Sequence, residues 1–309
     1  MSGDALAVTV AGLAFQNPLL LASGTAAYGR ELDDVVTLKA LGGLVTKAVS
    51  PEARAGAPAP RVAEFSDGMI NAVGLANPGM ADVKANELPW LAAHRGPARV
   101  LVNVVGRALE DFAEVVGTLD SAAGLDGFEL NVSCPNVRAG GLEFGADRAV
   151  LADLVTRARA ATRRPLFVKL SPTLADIAAT AAAAADAGAD GITVINTIPG
   201  LVIDVERRAP ALGFGTGGVS GTALRPVGVL ATWKVSRAVK VPVIGVGGVR
   251  SAEDVLQYLL AGASLVAVGT AGLVDPRRPE RIIRDLARWC SRQGVGSIRT
   301  LVGALEWPA

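Results

Sequence analysis

Cysteine is almost missing from this chain of 309 residues: Cys134 and Cys290 are the only two. Two thiols build no disulfide framework, and these lack metal-ligand spacing, so no metal site is expected and a reducing compartment, the cytoplasm, is the expected location. Histidine is scarcer still. The single one, His94, stands in a polar LAAHRGP stretch expected at the surface, which removes histidine-based catalysis. Charge of one sign is also lacking: 30 basic residues against 29 acidic ones leave +1, so no nucleic-acid partner is expected and the balance points to small-molecule work. No run of about 18 apolar residues occurs, and the first residues lack a basic segment followed by an apolar one, so neither membrane contact nor a targeting leader is expected. Aromatics reach only 4%, while half of the residues are hydrophobic and 36 are glycine. That mixture suits small side chains packed closely in βα units.

Short β-branched runs alternate with Ala-, Leu- and Arg-rich stretches. The runs lie at 19–22, 44–46, 100–104, 127–131, 166–170, 192–195, 243–246 and 265–268, and amphipathic stretches predict helices at 108–119, 146–162, 174–187, 223–239 and 252–261. Alternation of this kind implies a parallel sheet, and eight units close into a TIM (β/α)8 barrel, here as a single domain over 1–309. Two connections are too long for ordinary βα loops. Residues 50–96 hold five prolines and 197–222 hold six glycines, and both are expected as excursions over the barrel mouth, the first including a small hairpin.

Chemistry in such barrels sits at the C-terminal ends of the strands. There the sequence places Ser23 and Gly24, Lys47, Asn103, the stretch from Asn131 to Cys134, Lys169, Asn196 and Thr197, Gly247 and Gly248, and Gly269 and Thr270. The segment ELNVSCPN at 129–136 is the most informative: an apolar strand meets two amides and a thiol, and Pro135 forbids its continuation. Cys134 is either a buried structural thiol or a reacting group flanked by Asn131, Ser133 and Asn136. The small residues ending the last two strands read as a phosphate site built from bare backbone N–H groups, or singly as tight turns. Lys47 and Lys169 follow apolar runs, and an inward lysine needs an anion, unless it snorkels to the rim. Two separated cations, with Asn71, Asn131, Asn136 and Asn196 to read amide edges, exceed the needs of a phosphate alone and suit a flavin beside an anionic substrate. Asn17, Asn77 and Asn86 read as turn residues.

The strings ASG at 22–24, TKAV at 46–49, NAVGLANPG at 71–79, ELPW at 87–90, ELNVSCPNV at 129–137, VKLSP at 168–172, GGVSG at 217–221, GVGGV at 245–249 and AVGTA at 267–271 resemble those of dihydroorotate dehydrogenases, in order and across nearly the whole chain. The resemblance implies a barrel holding flavin mononucleotide (FMN) that oxidises dihydroorotate to orotate in pyrimidine synthesis. Cysteine at position 134 is similar to class 1, since class 2 has serine there and an N-terminal helical extension. NAVGLANPG and ELPW resemble the NAD-linked type 1B catalytic subunit more than the fumarate-linked type 1A; Val73 and Ala76 depart from the commoner 1B pattern.

By that resemblance Cys134 is the base that removes the C5 proton while the C6 hydride passes to flavin N5. Lys47, the stretch Asn71, Ala72, Val73, Gly74 and Leu75, and Asn131, Asn136, Asn196 and Thr197 would hold the substrate. Ser23, Gly24, Lys47, Ala48, Asn103, Asn131, Lys169, Ile195 and Gly221 would border the flavin, with Gly247, Gly248, Gly269 and Thr270 at its phosphate. The loop 137–144 would close over the substrate. No nicotinamide fingerprint follows a first strand, and two cysteines cannot ligate an iron–sulfur cluster. FAD and the cluster are therefore expected on a partner subunit, in a heterotetramer around a homodimer of this chain. Two rivals share the barrel: a dihydropyrimidine dehydrogenase-like flavin enzyme, and a flavin-free aldolase or isomerase in which Lys169 forms a Schiff base.

Overall fold

The computed structural model describes residues 5–133, 135–136 and 142–308. Eight parallel strands close into a barrel: β1 Leu19–Leu21, β2 Gly43–Val45, β3 Arg99–Val104, β4 Gly127–Asn131, β5 Leu166–Leu170, β6 Gly191–Val194, β7 Val243–Val246 and β8 Ala263–Val268. Each strand pairs with the next in sequence, and β8 closes on β1 through Val266 opposite Leu19. All eight runs read from the sequence are strands, with ends displaced by at most two residues.

These strands are apolar on both faces because both faces are covered. Val102, Phe128, Leu130, Val168 and Ile192 point outward and join Phe112, Leu154 and Ala184 of the surrounding helices in one buried cluster. The alternate positions face the barrel interior. In register across neighbouring strands, Asn103, Glu129, Phe167 and Gly191 form one tier, and Asn131, Lys169, Thr193 and Ile244 the next toward the strand ends. Polar side chains thus stand in both tiers, Asn103 and Glu129 in the lower one and Asn131, Lys169 and Thr193 in the upper. At the floor Phe167, fully buried, packs with Leu20, Leu101, Ile244 and Leu265.

Helices Leu109–Asp120, Arg148–Ala160, Ile177–Asp186, Arg225–Ala238 and Ala252–Leu260 follow β3 to β7, close to their predicted spans. The alternation fails after β1. Gly24, Ala27 and Gly29 all take positive φ there, so the chain makes only short 3-10 turns, Arg30–Leu32 and Leu38–Ala40. After β8 comes the short helix Thr270–Val274 and then Arg278–Gln293. No helix among the described residues is long and apolar enough to cross a membrane.

The two long excursions meet each other. The expected hairpin is Val62–Phe65 with Gly68–Asn71, and its second strand pairs with Gly217–Gly221 of the other excursion, which pairs in turn with Ile198–Gly200. The result is a four-stranded antiparallel sheet across the mouth, a pairing between distant segments that local pattern does not encode. Glycine is required where the strands crowd: a Cβ on Gly218 would enter the Thr197 side chain, and one on Gly221, at φ +125°, would press on the Asp67–Gly68 backbone.

Gly191 offers a test of the floor. A Cβ there would overlap the Phe167 ring, and its φ is ordinary, so the cost of Gly191→Ala is steric alone. We expect destabilisation of about 1–3 kcal/mol, the usual cost of overpacking, read from the urea midpoint. Unchanged or raised stability would contradict this packing.

Candidate functional site

Between the C-terminal strand ends and the mouth sheet lies a cavity of about 1170 Å³. Most of the strand-end positions singled out in the sequence line it. Its wall holds Ser23 and Gly24 after β1, Lys47 and Ala48 after β2, Asn103 of β3, Asn131 of β4, Lys169 of β5, Ile195, Asn196 and Thr197 after β6, Gly247 and Gly248 after β7, and Gly269 and Thr270 after β8. The mouth sheet and the turn behind it add Gly221 and the stretch Asn71, Ala72, Val73, Gly74 and Leu75. Cys134 lies outside the described residues, as does 137–141 of the loop expected to close. The ends of that loop are antiparallel neighbours, with Asn136 opposite Leu142 and Pro135 opposite Glu143. β4 itself stops at Asn131, and Val132 and Ser133 form a turn.

At the ends of β7 and β8 the backbone presents donors. The N–H groups of Gly248, Val249, Gly269 and Thr270 have no hydrogen-bond partner among the described residues, and all four residues line the cavity. The neighbouring N–H groups of Arg250 and Ser251 are already taken by the Asp254 carboxylate, both at 2.9 Å. Asp254 in turn is paired with Arg225. Gly247 and Gly248 turn at φ +130° and +69°, and the Tyr258 hydroxyl donates to the Gly247 carbonyl at 2.7 Å. Burial, helped by Asp254, pushes that phenol far above its ordinary range, so it stays a donor. The turn is thus fixed from behind and open in front, the arrangement of a backbone anion site.

The opposite wall carries the cations and amides. Lys169 is 7% exposed, and neither its side chain nor that of Lys47 makes a hydrogen bond or ion pair among the described residues. An enclosed ammonium without a partner demands a facing anion or carbonyl. Asn196 Nδ2 donates to Asn131 Oδ1 at 3.3 Å, and Asn196 Oδ1 accepts from Thr197 N at 2.8 Å, which leaves the Asn131 amino group free for a ligand. Asn71 Nδ2 donates to the Gly218 carbonyl at 3.2 Å, so its Oδ1 is its available acceptor. Asn103 Nδ2 donates to Glu129 Oε1 at 2.7 Å, and its Oδ1 is buried without a partner. Ser23 Oγ donates to the Thr46 carbonyl at 3.0 Å. A Cβ on Gly24 would meet nothing within 4 Å, and on Gly269 nothing nearer than 3.8 Å, so these glycines border open space into which a ligand backbone could press.

This donor set fits flavin mononucleotide: free N–H groups for a phosphate, an unpaired cation and an orphaned carbonyl oxygen for a ring with amide edges. Gly221 has a second duty that its sequence context did not signal, since its missing Cβ lets the mouth sheet close. Thr25, Thr222, Val249, Arg250, Ser251 and Arg278 also line the cavity and were missed; Val249, Arg250 and Ser251 directly follow the glycine pair, and only Arg278, well past β8, had no local signal. Glu143, within the loop 137–144, carries a carboxyl whose pKa is raised by burial, an effect opposed by Ser171 Oγ, which donates to it at 3.3 Å. His94 is exposed and stacked on Trp90; Asn17, Asn77 and Asn86 serve local turns and helix contacts, and Asn17 Nδ2 also donates to the distant Ala40 carbonyl.

A family model described as dihydroorotate dehydrogenase matches residues 5–289. The dihydroorotate dehydrogenase B (NAD(+)) catalytic subunit of Pelobacter propionicus is 46% identical over 301 residues, covering 97% of this chain and 98% of that protein. The protein of the same name from Desulforudis audaxviator is 47% identical over 298 residues, 96% of either chain. A putative dihydroorotate dehydrogenase A (fumarate) from Solibacter usitatus is also 47% identical, over 302 residues, 98% of this chain and 99% of that one. Because the match runs through every barrel strand and includes every described residue of the cavity wall, the chain belongs to the dihydroorotate dehydrogenase family.

Proposed function

We propose that the chain, acting as one domain over 1–309, oxidises dihydroorotate to orotate for pyrimidine synthesis in the cytoplasm, with flavin mononucleotide in the cavity. The observation that carries this reading is the pair of unpaired cations, Lys47 and Lys169, sharing one cavity with free N–H groups at the ends of β7 and β8. One phosphate cannot answer all of these groups, whereas a flavin with an anionic substrate does. An aldolase or isomerase leaves the orphaned Asn103 acceptor without a purpose.

Flavin mononucleotide, when bound, supplies the two-electron acceptor. Gly248, Val249, Gly269 and Thr270 would donate to its phosphate, and Lys169 would set positive charge against its ring. Lys47 binds the substrate carboxylate, and the free amino group of Asn131 reads the pyrimidine edge, with Asn196 and Thr197 orienting it. Cys134 removes the C5 proton as a thiolate. The loop over 137–144 excludes water from that transfer.

Identity alone does not separate the NAD-linked type from the fumarate-linked one, since relatives of both names stand at 46–47%. The rim favours the NAD-linked type. Val62, Phe65, Leu273 and Val274 border the cavity and are 37–76% exposed, an apolar patch where a partner carrying FAD and an iron–sulfur cluster would receive electrons. Leu201, Ile203, Val205 and Phe214, exposed farther along the second excursion, suit the homodimer expected at the centre of the heterotetramer.

Cys134→Ser should retain flavin and bind orotate, yet slow flavin reduction by dihydroorotate about 10²-fold or more, the range of general-base catalysis. In the native protein that reduction should speed up as pH rises toward about 8.5, the ordinary thiol value, because only the thiolate accepts the proton. Reduction by the variant at the native rate would remove Cys134 from the reaction.

The isolated chain should reduce artificial acceptors and turn over NAD poorly, gaining NAD activity when the FAD and iron–sulfur subunit is added. Steady-state assays with each acceptor check this. Fast fumarate reduction would assign the chain to the other type, and fast NAD reduction alone would break the two-subunit reading.

A further inference from the structure

Glu129 is the one acid of the barrel strands that faces their interior. It is 1% exposed on β4, in register with Asn103 on one side and Phe167 on the other. A carboxylate is expensive to bury, and the proposed reaction does not use it, because no substrate or cofactor group needs another acid. It makes no ion pair with Lys169 either, although the two stand on adjacent strands. Its partner is Asn103. Glu129 Oε1 accepts from Asn103 Nδ2 at 2.7 Å, in a side chain that is fully buried.

The consequence lies at the other end of the amide. An ionised carboxylate only accepts hydrogen bonds, so it dictates which end of Asn103 it receives: the amino group turns toward Glu129 and the carbonyl oxygen away from it. The backbone of Asn103 is held as well, its N–H donating to Thr46 Oγ1 at 3.2 Å. What remains is Asn103 Oδ1, buried, without a partner among the described residues, on a residue of the cavity wall. A buried acceptor left open in this way is costly until a donor arrives. The flavin ring supplies that donor as a ring N–H; a phosphate or a dihydroorotate carboxylate does not.

We propose that Glu129 is a positioning residue that locks Asn103 in the orientation presenting its carbonyl oxygen to a ring N–H of the flavin. The inference rests on the cofactor reading above. Glu129 touches no ligand itself; its effect passes through Asn103 and is a matter of orientation. Thr193, whose hydroxyl is likewise buried without a partner, sits in the neighbouring tier and is no substitute, since it cannot turn the Asn103 amide.

The test is a double-mutant cycle on flavin binding to the full chain. Glu129→Gln keeps the shape but can both donate and accept, so Asn103 is released to flip. In the native background it should weaken flavin mononucleotide affinity about tenfold, the weight of one buried hydrogen bond. In an Asn103→Ala background the same change should cost less than about twofold, because the amide it orients is gone. An equal loss in both backgrounds would mean a general structural role, and no loss in either would mean no role; either result overturns the proposal. A second measurement avoids variants of Glu129 altogether. In native protein labelled with 15N-asparagine, the Asn103 side-chain NH₂ signals, assigned by their loss in Asn103→Ala, should resist exchange with deuterium both before and after flavin is added. Rapid exchange before flavin addition would show that Glu129 does not hold the amide, and a native protein that takes up no flavin would overturn this proposal and the cofactor reading together.

Discussion

Lys169 is carried by a strand whose five residues are all buried, and its ammonium makes no ion pair among the described residues. A charge so placed is tolerable only if something negative or strongly dipolar completes it. Much else in the molecule is arranged around that demand. The floor beneath is sealed by Phe167, for which Gly191 leaves room, so the cation is open only toward the mouth. The acid of the adjacent strand β4, Glu129, is engaged by Asn103. Lys169 is thereby kept for a ligand.

The second constraint is the mouth sheet. Its two inner strands come from excursions about 150 residues apart in the chain, as the Asn71 to Gly218 hydrogen bond illustrates. This sheet makes a cavity out of a shallow barrel end, and its close strand contacts depend on glycines at 68, 218 and 221. It also ties the two ends of the site together: Thr270 Oγ1 donates to Ser220 Oγ at 2.8 Å, and Ser220 Oγ donates to the Met69 carbonyl at 3.3 Å. The phosphate end and the stretch leading to Asn71 therefore share one frame.

The barrel was legible because a strand buried on both faces leaves an unbroken apolar run, and eight such runs alternating with helical stretches admit few folds. The strand-end residues were legible for the same reason, since Lys169, Asn103 and Asn131 interrupt those runs. Three features were not. The pairing of 68–71 with 217–221 depends on contacts between segments far apart. The turn-rich passage after β1 looks like other connections until its positive φ values are known. Glu129 reads in sequence as part of a motif, and its bond to Asn103 emerges only when β3 and β4 are set in register.

The central claim is that this cavity couples a flavin to a dihydropyrimidine bearing a carboxylate. Anaerobic addition of dihydroorotate to the flavin-loaded chain tests it most directly. The absorbance near about 450 nm, the mark of an oxidised flavin, should bleach with one orotate formed per flavin, while dihydrouracil, which lacks the carboxylate that Lys47 would hold, should leave it unchanged. A flavin that dihydrouracil bleaches as readily, or that dihydroorotate does not bleach at all, would contradict the account.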